Sequence, residues 1–160
     1  MRLKRYNSIG NEELIAVKKV IKSGVLSDFV GVQGKNFEGG KYVKKFENTA
    51  RNYFGVNYAI SVNSWTSGLI CSIGAIDPSP GDEIICTPWT MCACATAILH
   101  WNCIPVFVDI DKETFNICPK ELSKIIKEQS IDCVVYVHWC GNAGDFDQIV
   151  DICNKKDILL

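Results

Sequence analysis

From Tyr58 onward, short aliphatic runs alternate with helical patterns roughly 10–12 residues long. The short runs are apolar throughout, not at every second position. A strand with a solvated face alternates apolar and polar residues, because successive side chains point to opposite faces. A strand that is apolar on both faces must be covered on both. That requirement selects a mostly parallel sheet with helices on either side, an α/β fold with right-handed crossovers. The expected strands are Tyr58–Val62, Glu83–Thr87, Ile104–Asp109, Asp132–His138 and a last one begun by Asp157–Leu160. Between them, a helix capped by Asn63-Ser64 runs to about Ile76. Further helices are expected over 91–100, 119–129 and 145–155, and Pro78–Asp82 reads as a turn.

The chain before Tyr58 reads differently. Residues 11–22 open with a capping residue and two acids, and they place Leu14, Val17, Val20 and Ile21 on one helix face. Five glycines, Gly24, Gly31, Gly34, Gly39 and Gly40, mark 24–40 as a loop. Helical period returns over 41–53, with Val43, Phe46, Ala50 and Phe54 as the stripe expected to be buried. The expected division is therefore 1–57, N-terminal helices and glycine-rich loop, and 58–160, an incomplete α/β domain. The incompleteness is read from Asp157-Ile158-Leu159-Leu160, which looks like the first half of a buried strand. A cut there is expected to leave Val134, Val135, Val137, Ile158, Leu159 and Leu160 near an uncovered face.

Composition excludes several classes. The formal net charge of −1 over 160 residues offers no basic surface for nucleic acid or anionic lipid. No apolar run approaches the ~20 residues of a membrane span. Met-Arg-Leu-Lys-Arg is followed by no apolar stretch, so no secretory signal is read. Nine cysteines are many, but the number is odd and no Cys-x-x-Cys occurs. They read as reduced thiols serving as small core residues, which implies a cytoplasmic protein. Cys92, Cys94, His100 and Cys103 match no common zinc spacing, and no metal site is expected.

Three segments carry possible chemistry. Val62-Asn63-Ser64-Trp65-Thr66-Ser67-Gly68 joins the first expected strand to its helix. A helix N-terminus at that edge offers free N–H groups to a phosphate, and Thr66 and Ser67 add hydroxyls; plain capping is the competing account. Thr87-Pro88-Trp89-Thr90-Met91 follows the next strand and could face a planar ligand. Val137-His138-Trp139-Cys140-Gly141 ends a later strand, where a lone histidine reads as structural rather than catalytic. Asp109 and Asp111 read as a solvated turn rather than a cation site. No GxGxxG or P-loop pattern occurs, so nicotinamide dinucleotides and nucleoside triphosphates find no support.

Taken in order, several pieces resemble the DegT–DnrJ–StrS family of sugar aminotransferases. They are Ser23-Gly24-Val25-Leu26-Ser27, Val43–Glu47, Ala59–Leu69, Pro80–Ile85, Pro88–Met91, Pro105–Asp111, and Val137-His138 with Gly141 and Asp145. The resemblance implies the large-domain fold of the aspartate aminotransferases, of which 58–160 is part, and pyridoxal 5'-phosphate as cofactor. By position it implies that Thr66 and Ser67 hold the cofactor phosphate and that Met91 covers the pyridine ring. It places Ser27 in the sugar pocket. Trp65 stands where the family usually has glycine or alanine, so its side chain must point away. The family's Schiff-base lysine and pyridine-binding aspartate match no position within 1–160, so no catalytic residue is assigned. The lysines present, Lys4 included, read as tail, helix-face or loop residues. The implied activity of a complete enzyme is amino transfer from an amino acid, glutamate by expectation, to a nucleotide-linked keto-sugar. The implied assembly is a homodimer or a pairing with a complementing C-terminal chain. The competing class is a non-catalytic α/β module that binds a phosphate ligand or a partner chain.

Overall fold

The computed structural model describes residues 6–160, so Lys4 lies outside the described residues. The chain divides into two compact units, one through Ser61 and one from Val62. The first holds α1 (Asn11–Ser23) and α2 (Lys41–Phe54). The Glu13 carboxylate accepts the Gly10 N–H at 2.7 Å and satisfies one orphan donor at the start of α1. That bond holds the Glu13 carboxyl below its ordinary range. Gly24, in the left-handed region at φ 70°, closes the helix.

The second unit contains α3 (Trp65–Ala75), β1 (Glu83–Cys86), α4 (Ala93–His100), β2 (Ile104–Phe107), α5 (Pro119–Glu128), β3 (Cys133–Val134) and α6 (Phe146–Lys156). The sheet runs β2-β1-β3 and every pairing is parallel. Ile84 sits opposite Pro105 and Cys133, and Ile85 opposite Val106 and Val134. The expected α/β class with a parallel sheet is what forms. Adjacent residues on β1 feed different cores. Ile84 and Cys86 pack with Cys133 against Ile73 of α3 and Cys94, Ala97 and Ile98 of α4. Ile85 packs with Val134 against Leu122 of α5 and Ile149 and Cys153 of α6. Helices therefore cover both faces, which is why the strands carry no polar side.

Pro105 sits on an outer strand without costing the ladder a bond. Ile104 and Val108 donate their N–H groups to Asp82 and Cys86 at 2.8 and 3.1 Å. Strand alternation then turns position 105 outward, where a missing N–H is tolerated. Gly74 marks a close approach: a Cβ there would lie 2.1 Å from the Trp101 ring. Trp101 in turn donates its indole N–H to the Ile70 carbonyl at 2.8 Å.

Several expectations need correction. Tyr58–Val62 forms no strand. It has no ladder partner among the described residues, and the Tyr58 and Ile60 side chains are exposed. The expected stripe of α2 is not buried: Phe46 and Phe54 are exposed, and Val43 and Ala50 are half-buried. On α1, Leu14, Val17 and Ile21 are likewise exposed. Period alone cannot supply the surface that covers a stripe. The strands are also shorter than the aliphatic runs: Thr87, Val108 and Val135 fall just outside them, although Val108 and Val135 still donate their N–H groups to the Cys86 and Ile85 carbonyls at 3.1 and 2.8 Å. The helix expected from residue 91 starts at Ala93. Asp157–Leu160 contributes a single bridge, Leu159 to Cys133, held by Val134 N–H to Leu159 O at 2.8 Å. Val134 is fully buried, contrary to the uncovered face expected for it, whereas Leu159 and Leu160 are exposed. Of the nine cysteines, Cys86, Cys94, Cys103, Cys133 and Cys153 are core residues, and all nine are free thiols.

Candidate functional site

Because β1, β2 and β3 are parallel, their carboxyl ends share one edge of the sheet. Open α/β sheets bind ligands at that edge. The loops after the three strands carry Thr87–Cys92, Val108–Cys118 and Val135–Asp145. Helix α3 leads through the 76–82 turn into β1, so it runs against the strands and its first turn faces the same edge.

That first turn is capped and still open. Ser64 Oγ accepts the Ser67 N–H at 3.1 Å and lies 3.0 Å from Ser67 Oγ. The N–H groups of Trp65 and Thr66 have no protein acceptor among the described residues. A helix start leaves such donors at the positive end of its dipole. Thr66 and Ser67 are half-buried, and the Trp65 side chain is 57% exposed. Gly68 sits where a Cβ would come within 3.3 Å of Val62, so the entering chain passes close to the helix.

The second segment turns sharply. Thr87 is buried, and its Oγ1 accepts the Trp89 N–H at 3.1 Å. Met91 is exposed, and its carbonyl accepts the Cys94 N–H at 3.3 Å as α4 begins. Trp89 is half exposed and meets aromatic rings from both other loops. Its ring centroid is 5.9 Å from Phe115, stacked, and 6.1 Å from Trp139, tilted.

Beyond β2, Asp109 and Asp111 are turn residues. Asp111 Oδ1 accepts the N–H groups of Glu113 and Thr114 at 3.0 and 2.9 Å and the Thr114 hydroxyl at 3.1 Å. Those bonds hold its carboxyl below the ordinary carboxylate range. Among the described residues, no three His, Cys, Asp or Glu side chains cluster as a metal site.

Beyond β3, His138 packs edge-on against Tyr136 and Phe146, at 5.1 and 4.9 Å. Trp139–Gly141 forms a short 3₁₀ turn, in which Cys140 is exposed and left-handed at φ 50°. One residue here escaped sequence reasoning. Asn116 is 1% exposed, and its Oδ1 accepts the Trp139 N–H at 2.9 Å. Its Nδ2 donates to the Asn142 carbonyl at 3.0 Å. An isolated asparagine in a turn-rich stretch has no periodic signature. Only its place between two aromatic residues' loops marks it.

The remaining candidates belong to the other unit or are inert. Ser27 belongs to the other unit, where its carbonyl accepts the Gly40 N–H at 2.7 Å and it lines a cavity of about 230 Å³ with Leu26, Asp28 and Tyr42. Burial pushes the Cys86 thiol up to about 12 and the Cys133 thiol to about 11, so neither is a ready nucleophile. Apart from half-buried Lys44, whose ammonium donates to the Lys35 carbonyl, every described lysine is exposed.

Residues 8–160 match the model of the DegT/DnrJ/EryC1/StrS aminotransferase family. Among curated relatives, an uncharacterised protein of Methanocaldococcus jannaschii is 38% identical over 94% of this chain and 36% of its own length. The spore coat polysaccharide biosynthesis protein SpsC of Bacillus subtilis is 33% identical over 95% of this chain and 36% of its own. The chain thus spans about a third of the length of the relatives it matches. Among solved structures, the GDP-4-keto-6-deoxy-D-mannose-3-dehydratase of E. coli, with bound hydrated PLP, superposes with a TM-score of 0.82. It is 26% identical and covers 96% of this chain and 38% of that one.

Proposed function

The chain belongs to the DegT/DnrJ/EryC1/StrS aminotransferase family, and from that premise we propose that it supplies the cofactor-phosphate side of a pyridoxal 5'-phosphate site. The observation that carries this reading is the open first turn of α3 at the carboxyl edge. There the Trp65 and Thr66 N–H groups stand free beside the Thr66 and Ser67 hydroxyls. A phosphate dianion matches that donor set, and the helix dipole favours its charge. The Trp65 side chain is exposed, and the reading requires that it point away from the phosphate. In this reading Thr66 and Ser67 hold the phosphate. Met91 lies against one face of the pyridine ring through its polarisable thioether.

The cofactor, when bound, supplies an electron sink for cleaving bonds at the carbon that bears the nitrogen. The residues of this chain orient it: the α3 turn anchors one end, and the Pro88–Met91 segment limits the tilt of the ring. The reacting lysine and the carboxylate facing the pyridine nitrogen are not among the residues assigned here. The activity proposed for the complete enzyme is amino transfer from glutamate to a nucleotide-linked keto-sugar. The family's description supports the amino transfer, and the dehydratase of GDP-4-keto-6-deoxy-D-mannose that shares the fold supports only the nucleotide-linked sugar. Ser27 is proposed to contact the sugar. The proposed assembly is a homodimer or a pairing with a complementing C-terminal chain, and the proposed compartment is the cytoplasm. Among the described residues, no helix is long and apolar enough to cross a membrane.

The test is a titration of the chain with pyridoxal phosphate, followed by tryptophan quenching and ³¹P NMR. Saturable binding that inorganic phosphate competes away, and that weakens in Thr66→Val and Ser67→Ala, supports the reading. Binding indifferent to both substitutions and to phosphate overturns it.

A further inference from the structure

Asn116 is, among the described residues, the one buried side-chain amide at the carboxyl edge, and both its polar atoms bond to the loop after β3. Its own backbone is pinned in the loop after β2. The Asp111 N–H donates to the Asn116 carbonyl at 2.9 Å, and Ile110 and Ile117 form an antiparallel bridge around it. The receiving loop is built closely around the amide. At Gly144, with φ 56°, a Cβ would fall 2.6 Å from Asn116 Nδ2, and the Tyr136 hydroxyl donates to the Ala143 carbonyl at 2.9 Å. The bond to the Trp139 N–H fixes the start of the 3₁₀ turn whose indole faces Trp89. Phe115, the residue before Asn116, presses on Trp89 from the loop after β2 and is itself left-handed at φ 60°. A non-glycine residue held there needs surrounding structure to enforce it. The chain of contact therefore runs from Asn116 through Trp139 and Phe115 to Trp89, two residues before Met91.

We propose that Asn116 is a positioning residue: its amide locks the loops after β2 and β3 together, and the Trp89–Phe115–Trp139 cluster they form sets the Pro88–Met91 segment against the cofactor ring. The role toward the cofactor rests on the function proposed above; the locking of the segment does not. Truncation leaves the Trp139 N–H and the Asn142 carbonyl without their buried partner, which releases the loop rather than the sheet. The ring-facing segment then samples more than one position, and binding pays for ordering it.

The experiment uses the full chain as wild type, Asn116→Ala and Asn116→Asp. Three readings are taken: the near-ultraviolet circular dichroism of the Trp89–Trp139 pair, the alkylation rate of exposed Cys92 relative to exposed Cys71, and pyridoxal phosphate affinity. Trp89→Phe and Trp139→Phe assign the dichroism. In Asn116→Ala the pair signal should collapse, the Cys92 rate should rise severalfold against Cys71, and affinity should fall about tenfold. The five core thiols should stay protected. Asn116→Asp should regain the pair signal as pH falls, because a protonated carboxyl restores an O–H donor beside a carbonyl acceptor in the same shape. Retention of the pair signal and the Cys92 rate in Asn116→Ala overturns the proposal. So does unmasking of the core thiols in both variants, which makes the residue a fold element only. If the wild type binds no pyridoxal phosphate, the cofactor reading fails, and the dichroism and Cys92 rate still judge Asn116.

Discussion

The units on either side of Ser61 both carry amphipathic helices, α1 and α2 in one and α5 and α6 in the other, and these end in different states. From Val62 onward, each helix finds a sheet face, and Ile84, Ile85, Ile98, Leu122 and Ile149 lose all contact with solvent. Up to Ser61, the only buried residues described are Gly39 and Gly40, and the aliphatic and aromatic side chains of α1 and α2 stay exposed or half-buried. The difference lies in the partner and not in the helix. A periodic stripe is a demand for cover, and its stabilisation appears only when an opposing apolar surface meets it.

The largest test of that contrast is a pair of truncations. Ile84→Ala should cost roughly 2–5 kcal/mol in chemical denaturation, because it opens a cavity between the sheet and α3–α4. Phe46→Ala, on an equally apolar position of α2, should change stability by less than about 0.5 kcal/mol. Equal costs would show that α2 has found cover in solution.

Gly74→Ala sharpens the comparison within the packed unit. Its Cβ would press into the Trp101 ring, and overpacking of this kind costs roughly 1–3 kcal/mol. A neutral result would mean that the indole swings away and gives up its bond to Ile70.

All nine cysteines lie beyond Ser61, so thiol reactivity reads one unit alone. Burial raises the Cys86 and Cys133 thiols to about 12 and about 11, from an ordinary value of 9.0. Above pH 9 the unfolded chain releases these protons while the native state keeps them. Stability is therefore complete below pH 9 and declines toward pH 11–12. Urea midpoints between pH 8 and pH 10.5 check this. A midpoint that holds steady, with five thiols still slow to react, would break it.

The smallest expected effect is at the α3 cap. Ser64→Ala should cost about 1 kcal/mol and leave the Ser67 N–H open. Pyridoxal phosphate should soften that loss by binding the native state. Borohydride added to the mixture should fix it to no single lysine, as peptide mapping would show, because the described lysines other than Lys44 are solvent-exposed. One dominant modified lysine would mark a reactive amine that neither sequence nor geometry indicates.

The fold of the packed unit was legible because both-face burial writes itself into continuous aliphatic runs such as Glu83–Cys86. The edge to which its site belongs followed from the direction of those strands. Tyr58–Val62 misled because apolar composition resembles a strand whether or not a ladder partner exists. Phe46 misled in the same way, since helical period carries no information about what lies opposite. At the candidate site, Thr66, Ser67 and Trp89 stood at recognisable junctions. Asn116 did not, because a buried side-chain amide is identified by its two partners, and both lie more than twenty residues away, at Trp139 and Asn142.

The proline in β2 has a consequence beyond the ladder it spares. An unprotected strand margin is a template on which further copies of a chain can stack, and Ile104 and Phe107 on β2 are exposed. Pairing along that margin uses N–H donors at the outward-facing positions 105 and 107, and the pyrrolidine ring at 105 offers none and intrudes on an incoming backbone. The residue that looks like an interruption in an aliphatic run thus makes this margin a poorer template for a further strand.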